Sequence, residues 1–175
     1  DLSFPINKPE LALTTLVYSL QTSLVEESMV RGLVLVAMLI SWGGDKKGQI
    51  KAVLLSSSIF GIIHLLNLIA RPPQLVLFQV VGVVIPGILY ASILIAQGSI
   101  WPAIVLHWIT NAAVNIKLLG FENYQESISM WLEFVIGLIP VLAYAIYLIW
   151  KSPDSYKYKE HVGRVDQDPE PHESL

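Results

Sequence analysis

The chain has 175 residues, of which 54% are hydrophobic and 14% charged, with a mean hydropathy of +0.59. Soluble domains carry roughly 25% charged residues, so an ordinary globular domain is excluded; the net charge of −3 says little, because the acidic excess sits in the tail, and no nucleic-acid partner is expected. Cysteine is absent, which removes disulfides, thiolate metal sites, a cysteine nucleophile and S-acylation together.

The chain begins at Asp1 rather than Met, as a piece of a longer protein lacking upstream helices would. "DLSFPINKPE" is neither basic nor apolar enough for a cleavable signal. Residues 10–42 form the first apolar block. As one helix it would reach ~50 Å, too long for a straight span. A surface-lying or re-entrant first part, or a break near Gln21–Ser23, is therefore expected. "GGDKKGQ" (43–49) is a turn. The second span is 50–70, closed by Pro72 and Pro73, and the third is 75–96, where Pro86 predicts a kink. After "QGS" comes the fourth span, 100–118, with Trp101 and Trp108 as interfacial anchors. "GFENYQES" is a polar loop, and 128–150 is the fifth span.

These elements predict an all-α fold, a polytopic transmembrane bundle of about five membrane-embedded helical segments. It occupies residues 1–150 and is followed by a polar, proline-bearing, disordered tail, 151–175. Lys46, Lys47 and Lys51 in the first turn fall on the same side as Lys151, Lys157, Lys159 and Arg164, whereas the opposite side holds Arg71 and Lys117. The positive-inside rule makes the first turn and the tail cytoplasmic, or stromal in an organelle.

Charge inside hydrocarbon costs at least ~2.5–3.5 kcal/mol per residue, so it marks function by default. The first block carries Glu26, Glu27 and Arg31; the second span carries His64; the fourth carries His107 and Asn111. Glu133 sits nearer an interface and weighs less. Glu27 and Arg31, Phe60 and His64, and His107 and Asn111 are each spaced i,i+4, so each pair shares one helix face. Glu27 can pair with Arg31, Glu26 is left to face a cavity, and Phe60 can restrict the His64 ring. Singly, such histidines and asparagines are commonly interhelical hydrogen-bonding groups, and a Glu–Arg pair can be purely structural. Ser56, Ser57, Ser58 and Gly61 read as a small-residue packing face. No serine is spaced to pair with a histidine on its own helix, so a Ser–His mechanism has no local support.

A carboxylate in a low-dielectric pocket can serve as general base for water. A histidine can orient that water, and an asparagine with a second histidine can donate to an oxyanion. These are the parts of an amide hydrolase. Glu26, His64 and His107 could alternatively hold a catalytic zinc, which commonly takes two His and one Glu, although HExxH is absent.

The ordered set resembles the CPBP family (CAAX protease and bacteriocin-processing, or Abi) of intramembrane proteases. "EESMVR" matches its EExxxR motif, "FGIIH" its FxxxH and "HWITN" its HxxxN. Each motif alone is weak; three in order, each in its own apolar block, are specific, and they cover about residues 20–118. Many members have an aromatic residue where this chain has Val30. The resemblance implies an intramembrane endopeptidase in which Glu26 activates water with help from His64. It implies further that Glu27 and Arg31 orient the site, and that His107 and Asn111 form the oxyanion pocket. Implied partners are membrane lipid and a peptide or membrane-protein substrate, prenylated or a peptide precursor. Two alternatives compete: a non-proteolytic immunity or scaffold protein of the same fold, and a proton-coupled carrier. Against the latter, no pair of broken helices repeats.

Overall fold

The structure, a computed structural model, describes residues 9–42, 44–120 and 128–154. The predicted loop at 121–127 and, from 155 onward, the tail expected to be disordered lie outside the described residues. The architecture is all-helical: α1 (Pro9–Glu27), a π-helical segment (Ser28–Leu35), α2 (Val36–Trp42), α3 (Lys46–His64), α4 (Pro73–Gln97), α5 (Trp101–Gly120) and α6 (Ile128–Lys151). A 3-10 turn, Leu65–Ile69, prolongs α3 toward "RPPQ". Five spans were expected; among the described residues two helices, Lys46–Ile69 and Pro73–Gln97, are long and apolar enough on their own to cross a membrane.

The expected break near Gln21–Ser23 is absent, and helix continues from Pro9 to Trp42. The Ser23 hydroxyl donates to the Ser19 carbonyl at 2.9 Å, which satisfies it inside the helix without disturbing the ladder. The irregularity lies further on, in the π segment. Ser19, Ser23, Glu27, Arg31, Leu35 and Leu39, spaced by four, are all buried. In an α-helix each four-residue step rotates the side chain by about +40°, so this stripe would wander off its face. With i→i+5 bonding a four-residue step rotates by roughly −30° instead. The π segment therefore cancels the drift of α1 and keeps one seam facing inward.

Along its first half that seam faces α5; beyond the π segment it faces α3. There Leu35 and Leu39 join Ala52 and Val53 of α3 and Ala91, Leu94 and Ile95 of α4 in an apolar core. Helix α4 runs through Pro86 and packs between α3 and α6. Its C-terminus is closed by Gly98, whose φ of 67° is the left-handed conformation that glycine adopts without penalty.

The Asp45 carboxylate caps α3, accepting from the Gly48 N–H at 2.8 Å. Lys46 then reaches across and donates to the carbonyls of Ile149 (2.8 Å) and Ser152 (2.6 Å), where α6 leaves carbonyls unpaired. Gln49, fully buried, donates to the carbonyls of Gly44 and Pro153 and accepts from the Ser152 hydroxyl. The 43–49 turn and the end of α6 thus share one end of the bundle. Trp108 donates its indole N–H to the Leu16 carbonyl at 3.0 Å and ties α5 to α1.

Gly61 permits the closest approach of α3 to α4, because a Cβ there would overlap Val84 and crowd Val80. Gly137 of α6 has nothing within 4 Å of its Cβ position. Gly61→Leu is expected to destabilise by at least ~1–3 kcal/mol through overpacking. Gly137→Ala should be neutral or stabilising by up to about 1 kcal/mol. Thermal unfolding of both variants in detergent micelles checks the contrast.

Candidate active site

Five of the six polar residues singled out in the sequence, Glu26, Glu27, Arg31, His107 and Asn111, lie on α1, the π segment and α5, which meet where α1 passes into the π segment; the sixth, His64, ends α3. Glu27 is the hub. Its Oε1 accepts from Arg31 Nη1 at 3.0 Å and lies 2.8 Å from His107 Nδ1. Glu27 and Arg31 are fully buried and His107 nearly so. A carboxylate accepts only, so His107 Nδ1 carries the proton in this bond, and Nε2 is the ring nitrogen left over. That Nε2 is 3.6 Å from Glu26 Oε2.

The two adjacent carboxylates therefore have different surroundings. The Glu27 side chain is 0% exposed and doubly bonded, whereas that of Glu26 is 31% exposed and rests beside the free nitrogen of His107. At 3.6 Å, Glu26 and His107 are beyond direct hydrogen-bonding reach.

His64 Nδ1 lies 2.8 Å from the Phe60 carbonyl one turn earlier. The carbonyl accepts, so the proton is on Nδ1 and Nε2 is again the nitrogen left over. Phe60 stands edge-on between the two histidines, 4.7 Å from His64 and 6.0 Å from His107 between ring centroids. His64 is half-buried and makes no direct ion pair with Glu26 among the described residues. Asn111 donates from Nδ2 to Ser23 Oγ at 3.3 Å, and Asn115 repeats the contact one turn on, to Ser19 Oγ at 3.1 Å. Each of these amides keeps a second N–H. Glu133, weighed lightly in the sequence, is exposed on α6.

Sequence reasoning missed the contributions of α4. Tyr90 stacks on His107 at 5.5 Å with an interplanar angle of 23°. The Arg31 guanidinium lies over two rings, 4.8 Å from Phe60 and 5.6 Å from Tyr90. Gly87 makes room for it, since a Cβ there would be 2.7 Å from Arg31 Nη2. A signal existed: Tyr90 is the one tyrosine in the 75–96 run, one turn after Gly87.

The zinc alternative does not fit this arrangement. Among the described residues no three of His, Asp and Glu are grouped so as to hold a metal ion. The buried Arg31 guanidinium, 3.0 Å from Glu27, already places a positive charge in the cluster that a divalent ion would have to join.

No curated protein and no solved structure matches the chain. The family described as Type II CAAX prenyl endopeptidase Rce1-like matches residues 8–113, more than half of the chain, spanning α1 to α5 and all six polar residues. Three ordered motifs and this match lead to one conclusion: the chain belongs to the Rce1-like family of type II CAAX prenyl endopeptidases.

Proposed function

We propose that this chain is an intramembrane endopeptidase that hydrolyses a peptide bond close to the membrane surface, in prenylated CAAX-type C-termini. Family membership and the two long apolar helices make it a membrane protein. The outer surface agrees: Leu13, Val17, Leu33, Ile62, Ile69 and Ile139 are among many large apolar side chains left exposed, a surface suited to lipid rather than water. In our reading the chain is multi-pass, with the Lys46 turn and the end of α6 on the cytoplasmic (or stromal) face.

The observation that carries the reading is the unequal placement of two adjacent carboxylates. Glu27 is consumed by Arg31 and His107 and is structural. Glu26 has no such bond, is accessible, and lies next to a basic nitrogen. Glu26 takes a proton from water while His64 Nε2 orients it, and the hydroxide adds to the scissile carbonyl. The proton passes to His107 Nε2, giving an imidazolium held between two carboxylates. That imidazolium and the spare Asn111 N–H donate to the oxyanion. Collapse of the tetrahedral adduct breaks the C–N bond, and His107 returns the proton to the leaving amine.

The test is a comparison of peptide termini in membranes carrying the wild-type chain and Glu26→Gln at matched protein levels, alongside cleavage of a farnesylated CAAX peptide. Glu26→Gln is expected to lower cleavage by at least ~10²-fold, with unchanged unfolding temperature because the side chain is partly exposed. Identical termini and no peptide cleavage by the wild type would favour a non-proteolytic member of the fold.

Glu27 should behave in the opposite way. Glu27→Leu leaves Arg31 buried without its carboxylate and is expected to destabilise by ~3–5 kcal/mol. The Glu27→Leu/Arg31→Leu double variant removes both charges and should recover a large part of that loss. A double-mutant cycle read by thermal unfolding checks this coupling.

A further inference from the structure

We propose that Tyr90 is a positioning residue for the reaction, acting through its ring face to hold His107 and Arg31 in register with Glu27. The proposal rests on the endopeptidase reading above and adds a group from α4, a helix that none of the three sequence motifs touches.

The argument begins with what Arg31 lacks. Its Nη1 is bonded to Glu27, but Nε and Nη2 are buried with no hydrogen-bond acceptor among the described residues. A buried cation short of acceptors is costly. The ring faces of Phe60 and Tyr90, 4.8 and 5.6 Å from the guanidinium carbon, supply the compensating negative potential. Gly87, three residues before Tyr90, keeps the space that Nη2 occupies.

The same tyrosine meets His107. Its ring stacks at 5.5 Å and 23°, while Phe60 closes the other direction edge-on at 6.0 Å and 81°. A histidine bonded at one nitrogen can still swing about that bond. With Tyr90 against its face, rotation is blocked and Nε2 stays directed at Glu26. The Tyr90 hydroxyl contributes less. It reaches Thr110 Oγ1 at 3.5 Å, the limit of a hydrogen bond, and Thr110 gives its own proton to the Leu106 carbonyl at 2.9 Å. The ring, 5% exposed, is therefore the functional part.

Two readouts test this, one independent of proteolysis. In ¹⁵N-histidine-labelled protein in detergent micelles, the His107 signals are those lost in His107→Gln. The wild type should hold its proton on Nδ1; Tyr90→Leu should give a mixture of tautomers, and Tyr90→Phe should restore the wild-type pattern. On a farnesylated CAAX peptide, Tyr90→Leu should lower kcat by about 10- to 100-fold with KM within about twofold, and Tyr90→Phe should restore most of the rate. Should Tyr90→Leu not fold, Tyr90→Met takes its place. A wild-type tautomer and kcat in Tyr90→Leu would overturn the proposal. So would losses in Tyr90→Phe equal to those in Tyr90→Leu, which would move the role to the hydroxyl. Failure of the wild type to cleave the peptide would overturn the endopeptidase reading, and the tautomer comparison would still decide the role of Tyr90.

Discussion

Everything around the candidate site depends on one oxygen, Glu27 Oε1, which takes Arg31 from its own helix and His107 from α5. Three ionisable groups are buried there, and each alone would cost several kcal/mol to desolvate. Together they are tolerable because the carboxylate is shared and the guanidinium is sandwiched by aromatic faces. This constraint fixes which way α5 turns and which nitrogen of His107 is left over. The chemistry proposed at Glu26 is a consequence of how its neighbour is satisfied.

The sharing works only if Glu27 and Arg31 stay on the seam that α1 offers to α5 while the following residues still face the apolar core. The π-helical segment reconciles these demands. Wide turns of this kind are rare and concentrate at functional sites; here the turn begins at the residue after Glu27. Before it, the seam is polar and small, so that α5 can approach closely and Asn111 and Asn115 can bond to Ser23 and Ser19. Beyond it, the seam is Leu35 and Leu39. One stripe of sequence thus changes from a site wall into a core in eight residues.

The parts of this legible in the sequence were those with local causes. Helix bounds followed from Pro72, Pro73, Gly98 and the charged 43–49 turn, and the three i,i+4 pairs identified Glu27–Arg31 and Phe60–His64 as one-helix contacts. The four-residue recurrence from Ser19 to Leu39 emerged only in the structure. A break at Gln21–Ser23 was the expectation from length, because serines, charges and leucines declare no common face until their burial is seen. Tyr90 could not be reached this way, because stacking on His107 and Arg31 depends on how α4 meets α5 and the π segment, and no local spacing encodes that meeting.

The placement of α4 is the last step on which the site rests. Tyr90 can restrain His107 only if its own backbone cannot move, and α4 is held on several sides. Gly61 lets α3 in against Val80 and Val84 on one side, and Gly82 lies against the Phe134 ring of α6 on another. At the far end Lys46 and Gln49 bolt the start of α3 to the end of α6. Helix α6 lies beyond the residues that match the family, yet it backs the helix that supplies Tyr90. A site built from α1, α3 and α5 thus borrows its rigidity from α4 and α6, elements that carry none of the recognisable motifs.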